Sequence, residues 1–158
     1  MTVRDLRLVA SVWSFALLAA CAHQPVEESL AQTQLGARAA GYALHLIGAP
    51  YRYGGSTPRG FDCSGLVQYS YARAGVWVPR STKEQRRSSQ PLPVADLLPG
   101  DLLFFNERGK RGSHVALYVG NGRFVHAPST GKHVQLATLR DPYWRHHLLE
   151  ARRLTLTQ

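Results

Sequence analysis

The chain has only two cysteines, Cys21 and Cys63. Cys21 closes an N-terminal targeting segment, so Cys63 has no partner for an internal disulfide. A lone thiol in an oxidising compartment is a hazard, and its presence asks for a chemical reason. Acidic residues are also scarce, with 10 Asp and Glu against 19 Lys and Arg, for a formal net charge of +9. The one long apolar run, Leu8 to Ala20, is too short to span a bilayer comfortably. There is no internal repeat, no low-complexity tract, and no glycine pattern of a dinucleotide or phosphate loop. Repeat arrays and the common nucleotide-binding folds are thereby excluded.

Residues 1–20 read as a lipoprotein signal peptide rather than a fold element. Arg4 and Arg7 precede the apolar run, and Leu18-Ala19-Ala20-Cys21 resembles a lipobox, whose cysteine is acylated and becomes the mature N-terminus. Ala22 rather than Asp follows it, which by resemblance to Gram-negative lipoproteins implies an outer-membrane anchor facing the periplasm. Residues 21–34 are polar and read as an irregular tether. Losing Arg4, Arg7 and Asp5 removes one net positive charge, leaving +8. Such a charge suggests nucleic acid, but an exported lipoprotein would not meet it. Anionic lipid head groups and carboxylate-rich wall peptides are the polyanions outside the cytoplasm.

Residues 35–158 suffice for one domain with a single core. Leu35, Ala39, Tyr42, Ala43, Leu46 and Ile47 predict a helix ending near Gly48. A second helix is expected from Cys63 through Leu66, Val67, Ser70, Tyr71 and Ala74, capped by Asp62 and stopped by Gly75. Ser81 with Glu84 three residues on signals a capping box and a short helix over 82–88. Beyond Pro99-Gly100 the pattern changes to strands, expected at 101–105, 114–119, 123–127, 132–136 and 147–154. The polar stretch Asn106 to Gly112 reads as a flexible loop. Helices followed by antiparallel strands predict an α+β fold, with N-terminal helices packed on an antiparallel sheet.

A helix N-terminus favours a thiolate, and Cys63 sits at one. A thiol nucleophile also needs a base, and the base a group to orient it. His114 and His126 lie in strongly patterned strands and are the candidates. Their faces depend on the turn between them. A two-residue Asn121-Gly122 hairpin with Gly120 opposite Arg123 puts the two imidazoles on opposite sides of the sheet. A three-residue loop, Gly120 to Gly122, sets Val119 against Arg123 and Ala116 against His126. The histidines are then diagonal neighbours on one face, roughly 7–8 Å apart between backbones. The three-residue loop is the expected register, with Gly122 supplying the left-handed bulge position.

Alternatives remain at this point. Cys63 alone suits a buried structural thiol, and His114 and His126 alone suit core histidines. Together the three are a possible zinc set, but no further ligand is patterned nearby. Tyr51, in the turn-rich loop Pro50 to Gly55, is a candidate oxyanion donor or a packing residue. Arg80 suits a substrate carboxylate or a helix cap, Asp62 a cap or a substrate amine, and Ser64 a substrate contact at the helix mouth. Asp101 is expected to fix a turn or to touch the third helix, and His45, His133, His146 and His147 to lie on the surface or in packing.

Phe61-Asp62-Cys63-Ser64-Gly65, Gly100-Asp101-Leu102-Leu103-Phe104-Phe105, His114-Val115-Ala116-Leu117-Tyr118-Val119-Gly120 and Phe124-Val125-His126-Ala127 together resemble the ordered motifs of the NlpC-type cell-wall cysteine peptidases, a papain-like family. Pro50-Tyr51, Pro79-Arg80 with Gln85, and Tyr143-Trp144 with Ala151-Arg152-Arg153 also fit, so the resemblance spans about Leu35 to Leu154. It implies Cys63 as nucleophile, His114 as base, His126 as orienting residue and Tyr51 as active-site tyrosine. It also implies hydrolysis of amide bonds in peptidoglycan stem peptides beside diaminopimelate. The compact Spr-type lipoprotein members resemble murein DD-endopeptidases. A carboxypeptidase or amidase on the same polymer, or a catalytically silent wall-binding lipoprotein, are the other readings. No cofactor or nucleic acid is implied. The expected partners are stem peptides and, through the lipid anchor, a membrane, and the domain is expected to be monomeric.

Overall fold

The computed structural model describes residues 24–107 and 109–155. The expected signal segment and Cys21 lie outside them. The chain divides into two compact units, residues 1–31 and 32–158. Of the first, only 24–31 are described, and they are helical.

Helix α1 spans Gln24–His45, so the helix begins well before the expected Leu35 and the stretch expected as irregular tether is helical from Gln24. Glu27, Glu28, Leu30, Ala31 and Gln32 are all strong helix formers, and that local preference outweighs the polar character of the segment. A small hairpin, β1 Ser56–Thr57 and β2 Gly60–Phe61, leads into α2, Cys63–Arg73, and then α3, Thr82–Arg87. The strands β3 Ser89–Leu92, β4 Leu102–Glu107, β5 Lys110–Gly120, β6 Arg123–His126, β7 Gln135–Thr138 and β8 Leu148–Leu154 follow, with α4, Pro142–His147, before β8. They form one antiparallel sheet in the order β3-β8-β4-β5-β6-β7.

Strand alternation sorts the side chains into two cores. Leu102, Phe104, Val115, Leu117 and Val125 face one way and pack with Ala39 and Ala43 of α1 and Leu66, Val67 and Tyr71 of α2. Leu103, Phe105, Ala116, Tyr118 and Phe124 face the other way, covered by Leu97, Leu139, Trp144 and Leu148. The first layer is the expected α+β packing. The second was not expected, because α4 lies between the strands expected at 132–136 and 147–154, where no element was read. Asp141 caps it by accepting from Tyr143 N at 2.8 Å, and Pro142 opens it. Strand β3 was also unforeseen. It tolerates Pro91 because it is an edge strand, hydrogen-bonded only to β8.

Three expected segments differ. β4 and β5 run into the stretch expected as a flexible loop, with Glu107 opposite Lys110. Ser113 Oγ donates to the carbonyls of Glu107 and Lys110, both at 3.0 Å, and Asn106 Oδ1 accepts from Gly112 N at 2.9 Å. Residues 132–134 lie before β7 and bond the loop ahead of β1 instead, with Tyr51 N donating to Lys132 O at 2.9 Å and Val134 N to Ala49 O at 2.8 Å. The β5–β6 turn is the two-residue kind after all, with Gly120 opposite Arg123 and both Asn121 (φ 55°) and Gly122 (φ 71°) left-handed. The register then shifts by one between Tyr118 and Gly120, restoring Tyr118 against Phe124 and Leu117 against Val125. Continued, that register sets Ala116 against His126. The turn expectation was wrong and the pairing beyond it right, because a bulge in β5 rather than in the turn absorbs the odd residue.

Candidate active site

Asp62 begins the site. Its backbone is extended, and Oδ1 accepts from Gly65 N at 2.7 Å, capping α2 as expected. The same carboxylate accepts from Gly54 N at 3.0 Å and from Ser64 Oγ at 3.2 Å. Arg80 grips it with both ends of the guanidinium, at 2.9 and 2.6 Å, and also donates to Ser64 Oγ at 2.9 Å and Gly55 O at 3.3 Å. Arg80 therefore does not cap α3. Ser81 does that, with Glu84 N donating to its hydroxyl at 3.3 Å and the hydroxyl donating to Glu84 Oε2 at 2.7 Å. Buried Gln85 ties α3 to α2 through Ser64 O at 2.9 Å and Pro79 O at 2.8 Å. Asp101 fixes its turn by accepting from Leu98 N at 2.7 Å, and it pairs with Arg153 rather than with α3.

Asp62→Ala removes the cap and leaves Arg80 without its carboxylate. The loss is expected to be about 2 kcal/mol, combining a cap of about 1 with a partly exposed ion pair of up to about 1. Urea unfolding checks it, and an unchanged midpoint would contradict the cap.

Cys63 is the first residue of α2 and is partly accessible. Among the described residues its side-chain hydrogen-bond partner is Thr82 Oγ1, at 3.7 Å, rather than His114. The backbone N–H groups of Val115 and Ser64 also point at the sulfur. Val115 is the neighbour of His114, so β5 brings the His114 backbone close to the thiol. Burial pushes the thiol up, against the lowering effect of the Val115 N–H, the Thr82 hydroxyl and the Ser64 N–H. Asp62 adds to the rise.

His114 and His126 are both buried and share the second face of the sheet. His114 Nε2 lies 3.0 Å from His126 Nδ1. Their wall is aromatic. The Trp144 indole stacks on His114 at 5.9 Å between centroids and meets His126 edge-on at 4.7 Å. Burial and then the neighbouring His126 push His114 down to about 3, and burial pushes His126 down to about 4. A stored thiolate was expected at the helix mouth. The surroundings instead favour the neutral thiol and the neutral imidazoles.

The lowered imidazoles have a consequence for stability. Unfolded histidine titrates near 6.5, so below that pH the unfolded chain binds protons that the fold refuses. Stability is expected to fall as pH drops from about 6.5 to 5, by up to about 1.4 kcal/mol per pH unit for each imidazole. The His126→Asn variant should show a shallower fall in urea titrations. Equal slopes for both proteins would contradict the buried neutral pair.

Four contacts lay beyond sequence reasoning: Thr82 on the sulfur, Trp144 on both imidazoles, Gln135 Nε2 at 3.2 Å from His126 Nε2, and Glu107 Oε2 at 3.8 Å from His114 Nδ1. Each is set by strand pairing or by helix placement that no local pattern reports. Tyr51 is brought to the site by its bridge to Phe61, two residues before Cys63, and it packs against the first core. Packing of Tyr51 against Trp77 or Tyr53 was the other sequence expectation, and these two are 79% and 89% exposed. No group of three or more His, Cys, Asp or Glu among the described residues is arranged to hold a metal ion.

Comparison with known proteins places this arrangement in a family. The NlpC/P60 family matches residues 48–153. The murein DD-endopeptidase MepH of Escherichia coli K12 is 45% identical over 70% of this chain and 43% of its own length. The murein DD-endopeptidase MepS/murein LD-carboxypeptidase of the same strain is 44% identical over 68% of this chain and 56% of its own. The chain thus spans about half the length of these relatives. A crystal structure of a lipoprotein-like NLP/P60 protein from Staphylococcus aureus superposes with a TM-score of 0.68 at 35% identity, covering 77% of this chain and 41% of that one. On the breadth of the family match and the agreement of fold, the chain belongs to the NlpC/P60 family.

Proposed function

We propose that the protein is a peptidoglycan hydrolase, a cysteine endopeptidase cutting amide bonds in diaminopimelate-containing stem peptides or their cross-links. The observation that carries this is the placement of a thiol at the start of α2 against the Val115 and Ser64 N–H groups, one residue along β5 from an imidazole hydrogen-bonded to a second imidazole. Relatives named as murein endopeptidases support the choice of substrate.

In the proposed reaction His114 Nδ1 takes the proton of Cys63 as the sulfur attacks the carbonyl carbon. The gap between thiol and imidazole in the free protein closes with substrate in place, as is common for catalytic hydrogen bonds. The Cys63 N–H at the head of α2, with the helix dipole, stabilises the oxyanion, and the Tyr51 hydroxyl is a further donor. His114 then gives its proton to the leaving amine, forming a thioester. Water hydrolyses the thioester with His114 again as base, releasing the new carboxylate and restoring the thiol. Asp62, Ser64 and Arg80 hold the helix mouth in shape, and the part-exposed Arg80 guanidinium offers charge to a substrate carboxylate.

Residues 1–20 act in this proposal as export signal and Cys21 as lipid anchor to the outer membrane, with the catalytic domain facing the periplasm as a monomer. Among the described residues no helix is long and apolar enough to cross a membrane. The paired name of the MepS relative favours a second reading, removal of the terminal residue of a stem. Digestion of purified sacculi, with muropeptides resolved by mass, separates the two. Loss of cross-linked dimers is the expected result. Intact dimers with shortened stems would establish the carboxypeptidase instead, and no product at all would leave a wall-binding protein.

A further inference from the structure

The function of the Cys63–His114–His126 set does not account for Gln135. It stands at the start of the edge strand β7, directly opposite His126 on β6. Its amide Nε2 is placed 3.2 Å from His126 Nε2, and a half-turn of the amide puts its oxygen there instead, while His126 Nδ1 is taken by His114 at 3.0 Å. Both nitrogens of a buried neutral imidazole therefore have side-chain partners. A neutral imidazole donates at one nitrogen and accepts at the other. What Gln135 presents at Nε2 thus dictates what His126 presents to His114.

The two faces of the amide give opposite outcomes. With the NH2 end toward His126, Nε2 accepts and Nδ1 carries the proton. Nδ1 then donates to His114 Nε2, and neutral His114 keeps its own proton on Nδ1, the nitrogen that must receive the thiol proton. That state is unproductive. With the carbonyl end toward His126, Nε2–H donates to Gln135 and Nδ1 accepts from His114 Nε2–H. His114 Nδ1 is then bare and ready. We propose that Gln135 is a positioning residue which, by turning its carbonyl to His126, selects the tautomer that leaves His114 able to act as base. The proposal rests on the hydrolase reading given above. The other groups facing the imidazole pair are Glu107 from β4 and the uncharged Trp144 indole from α4.

Two variants and two readouts test it. Gln135→Glu supplies only acceptors, so it locks the productive tautomer. Its charge also raises the imidazole pKa, which should move the acid limb of kcat/KM to higher pH by about one unit without loss of the plateau rate. Gln135→Leu, a good edge-strand residue, removes the acceptor and should lower kcat about tenfold with little change in KM. Nitrogen-15 imidazole shifts of the full-length protein read the tautomer directly, independent of turnover. They should show His126 protonated on Nε2 in the native and Glu proteins, and a mixture of tautomers in the Leu protein. The same tautomer in all three, or native kcat in Gln135→Leu, would overturn the proposal. A total absence of hydrolysis with the expected shifts would instead overturn the hydrolase reading alone.

Discussion

Replacing Cys63 with alanine is expected to lower the release of muropeptides by at least about 10⁴-fold, and replacing His114 with alanine by a similar factor. The double variant should be no worse than either alone, because nucleophile and base act as one unit. The pKa directions sharpen this expectation. Burial raises the thiol and lowers the imidazole, so little thiolate exists without proton transfer in the reaction itself. A thiol stored as thiolate by the α2 dipole alone would survive loss of His114 with modest cost, and that result would contradict the concerted role. His126→Ala should cost less than either, since it orients His114 and carries no charge into the transfer. The measurement is the initial rate of dimer loss from sacculi, normalised to folded protein by circular dichroism.

Gly65→Ala is expected to be the most damaging change to the fold near the site. A Cβ at position 65 would lie 2.0 Å from Gly55 O, a backbone atom that cannot step aside alone. That contact joins the loop carrying Tyr51 to the first turn of α2, where Asp62 N also donates to Gly55 O at 3.0 Å. Accommodating the methyl must separate loop and helix, breaking that bond and loosening the contact of Arg80 with Gly55 O. The cost is expected to be at least about 3 kcal/mol, the upper end for overpacking. Thermal unfolding checks it, and a melting temperature within about 2 °C of native would contradict the close approach. Gly65 in the string Phe61 to Gly65 is thus explained by packing rather than by chemistry, whereas Cys63 is explained by chemistry.

The same division decides how much was legible in the sequence. Local signals read well: Asp62 and Ser81 as caps, Gly75 as a stop, and the alternation of β4 to β6. The pairing that brings His114 to His126 followed from the pleat, because only one register puts both on a face. The turn did not follow, since a bulge between Tyr118 and Gly120 undoes what the two-residue Asn121-Gly122 hairpin imposes. Elements whose partners are distant in sequence were missed. Strand β3 forms because β8, some sixty residues on, offers it an edge. Trp144, Gln135, Glu107 and Thr82 reach the site from four different elements, and only the folded sheet and helices bring them together.

Alkylation tests the central claim most directly. Native protein treated with iodoacetamide is assayed on sacculi while intact and peptide masses follow the modification. The account predicts that residual activity falls in proportion to carboxamidomethylation of Cys63, reaching zero at full modification, and that prior loading with stem peptides protects both. Muropeptide release continuing undiminished with Cys63 fully alkylated would contradict it.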